Sequence, residues 1–149
     1  SDVCSSDLEI NLDPKRSNAE SRWTGGGWTQ TERFESDLVA FDPVSGEIKK
    51  SAHFPYPDHS GALATAGGLV FTGYSDGTFA AYDEETLELK WKINMGAGFT
   101  SPPMTFYAGS NQYVAIATGL SRIAKIMLGK SPEVAEMRNS TVLYVFAVE

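Results

Sequence analysis

The chain has 149 residues, 42% hydrophobic and 21% charged, a balance that belongs to packed globular proteins and excludes a disordered one. Twelve basic residues against nineteen acidic ones give a formal charge of −7, and without a basic cluster the chain is not read as a nucleic-acid binder. No apolar run reaches the roughly eighteen residues of a membrane-spanning helix, and a lone cysteine, Cys4, excludes an internal disulfide framework.

Residues 1–8, SDVCSSDL, read as translated sequencing adapter, the alternative being a natural exposed strand or loop; on either reading Cys4 carries no function. Residues 9–37 form a loop-rich segment. Asn11, Asp13, Pro14, Asn18 and Gly25-Gly26-Gly27 interrupt any pattern, while Trp23 and Trp28 anchor it, either in the core or at the mouth of a site. The three glycines lack the strand-to-helix context of a phosphate loop.

From residue 38 the chain repeats itself. Leu38-Val39-Ala40-Phe41-Asp42-Pro43-Val44-Ser45-Gly46-Glu47 is echoed by Phe79-Ala80-Ala81-Tyr82-Asp83-Glu84-Glu85-Thr86-Leu87-Glu88, a displacement of 41 positions from Asp42 to Asp83. One four-stranded propeller blade occupies about 40–45 residues. In each copy an alternating run ends in Asp, whose carboxylate is suited to accept N–H bonds two residues on and so to open a turn. The second copy continues into Leu89-Lys90-Trp91-Lys92-Ile93, with Trp91 on the inner face as a packing residue between blades; the first copy has Lys50 in its place.

Between and beyond the copies the signals are hairpins. Leu69–Tyr74 and Thr78–Asp83 flank Ser75-Asp76-Gly77, and Pro103–Tyr107 and Gln112–Ala117 flank Ala108-Gly109-Ser110-Asn111. Residues 120–140 are a partly helical excursion. Ile123–Leu128 has a rough helical face that ends at Gly129, and the helix signal proper is Ser131-Pro132-Glu133, carrying the helix to about Asn139. Val142–Val148 is apolar enough to predict a strand buried on both faces. The expected fold is all-β: a partial β-propeller of two to three blades over residues 38–149, with one short helical excursion near 120–140.

Five stretches make the chain resemble the C-terminal part of the methanol/ethanol family of pyrroloquinoline-quinone (PQQ) dependent alcohol dehydrogenases. They are Leu38–Gly46, Gly61–Phe71 (GALATAGGLVF), Asp76–Asp83, Pro102–Phe106 with Gln112–Ile116, and Val142–Ala147. The resemblance implies the last blades of an eight-bladed quinoprotein propeller. The whole enzyme would be a periplasmic oxidoreductase turning a small primary alcohol into an aldehyde, an Asp acting as base, with PQQ and Ca2+ or a lanthanide as cofactors. A cytochrome c-type protein would accept its electrons. By the same resemblance the catalytic Asp, the metal-binding acid and the vicinal cysteines lie upstream, leaving this segment inactive by itself.

One cofactor-binding residue is carried over. His59 stands at the quinone-site rim, where the methanol-oxidising branch favours Trp; the alternative is an exposed loop histidine. After Thr118-Gly119 the chain reads Leu120-Ser121-Arg122-Ile123 in place of that branch's Gly- and Trp-rich residues, which argues against methanol as substrate. His53 is read as no ligand, Asp83-Glu84-Glu85 as a solvated turn, and Asn139-Ser140-Thr141 as a chance match to the glycosylation pattern. The rival reading is a non-catalytic propeller serving as an assembly or interaction scaffold, which repeat physics alone does not separate from an enzyme.

Overall fold

The computed structural model describes residues 9–11, 27–29, 34–135, 137 and 140–147. Cys4, Trp23 and Asn139 lie outside them. Strands β1 (Glu9–Asn11) and β2 (Gly27–Thr29) pair antiparallel. The segment read as loop therefore holds a short ribbon, with the backbone of Trp28 in it. Three more antiparallel sheets follow. Strands β3 (Ser36–Phe41) and β4 (Ile48–Phe54) form a pair. Strands β5 (Ala62–Ala64), β6 (Leu69–Gly73), β7 (Thr78–Asp83) and β8 (Leu89–Asn94) form a four-stranded sheet in chain order. Strands β9 (Met104–Ala108), β10 (Asn111–Ala117) and β11 (Leu143–Ala147) form a three-stranded sheet with β10 central.

The 41-residue echo is an echo of hydrogen bonds. Asp42 Oδ1 accepts from Val44 N–H at 2.8 Å and Ser45 N–H at 3.1 Å, and Asp83 Oδ1 accepts from Glu85 N–H at 3.1 Å and Thr86 N–H at 3.0 Å. These bonds hold both carboxyls below the usual carboxylate range. Each turn then closes alike, Gly46 N–H onto Asp42 O and Leu87 N–H onto Asp83 O. The residue making that closure has a positive φ in both copies, 73° at Gly46 and 53° at Leu87. Both hairpins also shift register at one point, Ala40/Phe41 and Ala81/Tyr82, again 41 apart.

Packing obeys the same period. Leu38, Ala40, Ala52 and Phe54 of the first pair lie on Val70, Tyr74, Ala80 and Tyr82 of the four-stranded sheet, with Phe54 stacked 3.9 Å from the Tyr74 ring. On its opposite face that sheet sets Phe71, Phe79 and Met95 against Phe99, Val114, Ile116 and Phe146. Phe79 is the equivalent of Leu38 and Met95 that of Phe54, so consecutive sheets meet through corresponding positions. Phe79 is fully buried, with the rings of Phe71, Trp91, Phe99 and Phe146 all within 6.0 Å of its own.

Trp91 joins this interface at its margin. It meets Phe79 edge-on at 5.9 Å and Phe146 at 5.6 Å, yet remains 41% exposed, since β8 is the outer edge of its sheet. It is thus a packing residue between sheets, as its alternation suggests, but an incompletely covered one.

Two expectations need correction. β11 is not buried on both faces: Tyr144 and Phe146 turn inward, while Leu143 and Val145 stay exposed at 65% and 50%. It is an edge strand, and its outer face continues through Met104 and Phe106 into an apolar surface on which no described residues pack. The excursion between β10 and β11 holds two helices, and the Ser131-Pro132 signal opens the shorter one. Helix α1 (Arg122–Leu128) is N-capped by Ser121, whose Oγ accepts from Ala124 N–H at 3.1 Å. Helix α2 (Pro132–Ala135) makes a single turn. Val134 and Met137 donate three residues back, to Ser131 O and Val134 O, so the chain tightens instead of continuing a helix.

Candidate functional site

Antiparallel alternation sorts the connections between strands to two ends. One end carries tight reversals at 42–47, 65–68, 84–88 and 109–110. The other carries the connections at 55–61, 95–103 and 118–142, the longest from β3 onward, together with the tight turn at 74–77. Long loops on a rigid scaffold are where proteins place ligand contacts, and His59 lies at this end. The 118–142 excursion covers it: a Cβ on Gly98 would meet Leu120, and one on Gly77 would meet Met137 at 3.0 Å.

Residues 58–61 are sewn to the end of β6. Ser60 N–H donates to Asp58 Oδ1 at 2.8 Å, and the Thr72 hydroxyl is shared between Asp58 Oδ2 at 3.3 Å and Gly61 O at 3.1 Å. Ser60 Oγ accepts from the buried Gly73 N–H at 3.0 Å. The first link of this chain is a half-buried carboxylate. Burial pushes the Asp58 carboxyl above the usual range, outweighing the bonds that favour its charged form.

His59 is thereby neither a free loop side chain nor deeply buried. Half-covered, it places Nε2 3.1 Å from the Sδ of Met127, a buried residue on α1 sixty-eight positions away. Burial holds its imidazole below the ordinary value near 6.5, so it is neutral at pH 7. His53 sits elsewhere, exposed on β4 between Asp37 at 3.0 Å and Glu35 at 3.5 Å. Among the described residues no three His, Cys, Asp or Glu side chains come together as a metal site.

A groove of about 570 Å³ runs from Asp58–Gly61 past Val70 and Thr72 to Glu84 and Leu87, between β3 and the face of β5 and β6. Its volume falls in the usual ligand range. Among the described residues its chemistry does not suit a polycarboxylate cofactor along its length, since Asp37, Asp58 and Glu84 line it and no described Lys or Arg does. Its shape follows the edge of β3 on which no described strand pairs, from one end of the sheet to the other, the space a neighbouring strand would fill. Only its mouth, at His59, offers a neutral nitrogen heterocycle to a bound ring system. The residues present fit one contact at the rim of such a cofactor and no more.

Four-stranded and part sheets stacked face to face at a 41-residue period define consecutive blades of a β-propeller. Comparison with known proteins names the kind. The model of the glucose/ethanol/alcohol dehydrogenase β-propeller domain, the PQQ family, matches residues 39–114. The quinohemoprotein alcohol dehydrogenase ADH IIB of Pseudomonas putida is 39% identical over 114 residues, 75% of this chain and 16% of that protein. The 1-butanol dehydrogenase (cytochrome c) of Thauera butanivorans is 33% identical over 112 residues, covering 74% of this chain and 16% of the relative. Among solved structures, a europium-containing methanol dehydrogenase superposes with a TM-score of 0.69 at 27% identity, over 80% of this chain and 24% of the other. The chain belongs to the PQQ-dependent alcohol dehydrogenase family, and it spans about a sixth of the length of the curated relatives named here.

Sequence reasoning places His59 on a loop but misses its surroundings. Asp58 and Thr72 read as ordinary turn and strand residues, and no local signal joins Met127 to His59 across 68 positions.

Proposed function

We propose that this chain supplies the closing blades of a PQQ-dependent dehydrogenase that oxidises a small primary alcohol to its aldehyde. The observation that carries the reading is the repeated interface. Leu38/Phe54 and Phe79/Met95 occupy corresponding positions at successive sheet contacts, and the next such face, with Met104, Phe106, Leu143 and Val145, lies open. A blade buries its faces against neighbours, so this apolar face, open among the described residues, calls for a further blade against it.

In this reading the hard chemistry belongs to the quinone, which takes up the equivalent of a hydride when bound with Ca2+ or a lanthanide. The catalytic Asp and the metal ligands belong to the upstream blades, and the segment by itself is inactive. This chain's own residues give the cofactor a wall: the Asp58–Ser60–Thr72 network fixes the loop, and His59 presents a neutral ring at the rim. The excursion at 118–142 shields that end from water. The enzyme works in the periplasm and passes electrons to a cytochrome c-type acceptor, a reading supported by the words "cytochrome c" in the name of the Thauera relative.

The test is the full-length product of the gene carrying this segment, reconstituted with PQQ and either Ca2+ or a lanthanide. It should reduce an artificial dye with a primary alcohol and release the aldehyde. No alcohol-dependent reduction with either metal overturns the proposal and favours the scaffold reading.

A further inference from the structure

The contact between His59 and Met127 decides which ring nitrogen His59 offers. A thioether sulfur carries lone pairs and no hydrogen, so it can only accept. Two lone pairs facing each other at 3.1 Å would repel; Nε2 therefore bears the proton and donates it to Sδ. In a histidine the bond made by one nitrogen sets the state of the other. Nδ1 then carries a lone pair, and no described residue hydrogen-bonds to it.

The sulfur is itself held in place. Met127 lies one residue from the end of α1, buried with its neighbours Ala124 and Leu128. The helix is fastened by the Ser121 cap and by Gly129 N–H on Lys125 O at 3.0 Å. The loop that carries the ring is held as well, since Asp58 Oδ2 accepts from the Thr72 hydroxyl and Ser60 Oγ from Gly73 N–H, both on β6.

We propose that Met127 is a positioning residue that locks His59 as its Nε2–H tautomer, so that the loop end offers a ligand a hydrogen-bond acceptor, Nδ1. The group it takes is an O–H or N–H donor, and a carboxylate is refused because two acceptors would meet. The depressed basicity of the buried ring agrees with this, since a cation would donate from both nitrogens. The inference rests on the reading that His59 faces the quinone site. Two donors could meet it there: an N–H of the cofactor or the hydroxyl of the alcohol.

The tautomer is measured by 15N NMR of the histidine-labelled full-length protein, the imidazole of His59 being assigned as the signal lost in His59→Gln. The Nε2–H tautomer should dominate, and Met127→Leu should shift the tautomer ratio towards Nδ1–H by up to about fivefold, the size of one ordinary net hydrogen bond. An Nδ1–H tautomer, or a ratio indifferent to Met127→Leu, overturns the lock. The ligand is tested separately in the full-length protein. His59→Leu should weaken PQQ binding if the cofactor donates, or raise KM without lowering kcat if the alcohol does. His59→Asn, which retains an acceptor near the Nδ1 position, should restore most of either loss. Asparagine no better than leucine overturns the acceptor role. If leucine changes neither quantity, the placement of His59 at the quinone site fails, whereas the spectrum judges Met127 independently.

Discussion

Removal of Trp91 tests whether the sheets are held together as blades. A fully buried Trp or Phe cut back to Ala costs about 3–5 kcal/mol. Trp91 is 41% exposed, and scaling by its buried three fifths gives about 2–3 kcal/mol for Trp91→Ala. Phe79 is fully buried, so Phe79→Ala should cost the unscaled amount. The edge-on contact with Phe146 across the sheet boundary, 5.6 Å between centroids, adds a pairwise part. Aromatic pairs of this geometry contribute about 0.5–1.5 kcal/mol beyond area. A double-mutant cycle of Trp91→Ala and Phe146→Ala in urea unfolding should therefore show about 1 kcal/mol of coupling. A Trp91→Ala cost under about 0.5 kcal/mol, the range of ordinary surface changes, or additive losses in the cycle, would refute the blade-to-blade role.

Leu87 holds the positive φ that Gly46 holds in the first copy, yet its side chain is buried beside Val70 and Tyr82. Leu87→Gly should relieve about 1–2 kcal/mol of backbone strain but lose about 2–5 kcal/mol of packing, a net loss in urea unfolding; a gain would mean that strain dominates. A Cβ on Gly73 would stand 2.7 Å from Ile116 Cδ1 and from Phe99, so Gly73→Ala should lower the thermal midpoint by several degrees, at about 1–3 kcal/mol of overpacking. An unchanged midpoint would show a looser interface. The His59 basicity is depressed in the folded state, so unfolding stability should fall as pH drops below about 6.5, because the unfolded chain binds the extra proton. Asp58, whose carboxyl is raised, works oppositely, costing stability as pH climbs from about 3.9 through its folded value. His59→Leu should remove the first dependence and Asp58→Asn the second, in unfolding curves taken from pH 4 to pH 8; identical profiles for wild type and variants would contradict both assignments.

The features legible in the sequence are those whose physics is local. Asp42 and Asp83 announce their turns because a carboxylate two residues from the N–H it accepts needs nothing else, and Asp76-Gly77 announces its hairpin because Gly77 must take a positive φ of 85°. What escapes depends on the layer beyond. The apolar run at Val142–Val148 cannot reveal that its strand is an edge, nor can alternation show that Trp91 lies at a sheet margin. The Ser121 cap is a one-residue signal without an acid in the first turn to reinforce it, so the stronger-looking Ser131-Pro132 draws attention to the shorter helix. A cofactor role for His59 is expected only through resemblance. The residue's tie to Met127 and the bond from Thr72 to the neighbouring Asp58 exist only once distant segments meet.

The central claim is that these residues form blades of a quinoprotein without housing its catalytic centre. Dye-linked alcohol oxidation by the purified 149-residue chain, titrated with PQQ in the presence of Ca2+ or a lanthanide, tests it most directly. The account predicts no alcohol-dependent turnover, because the base, metal and quinone must be held together in one preorganised site. It also predicts self-association in the same preparation, through the open face of Met104, Phe106, Leu143 and Val145. Turnover saturable in PQQ and absent without it would contradict the account, since a complete site would then lie within this chain.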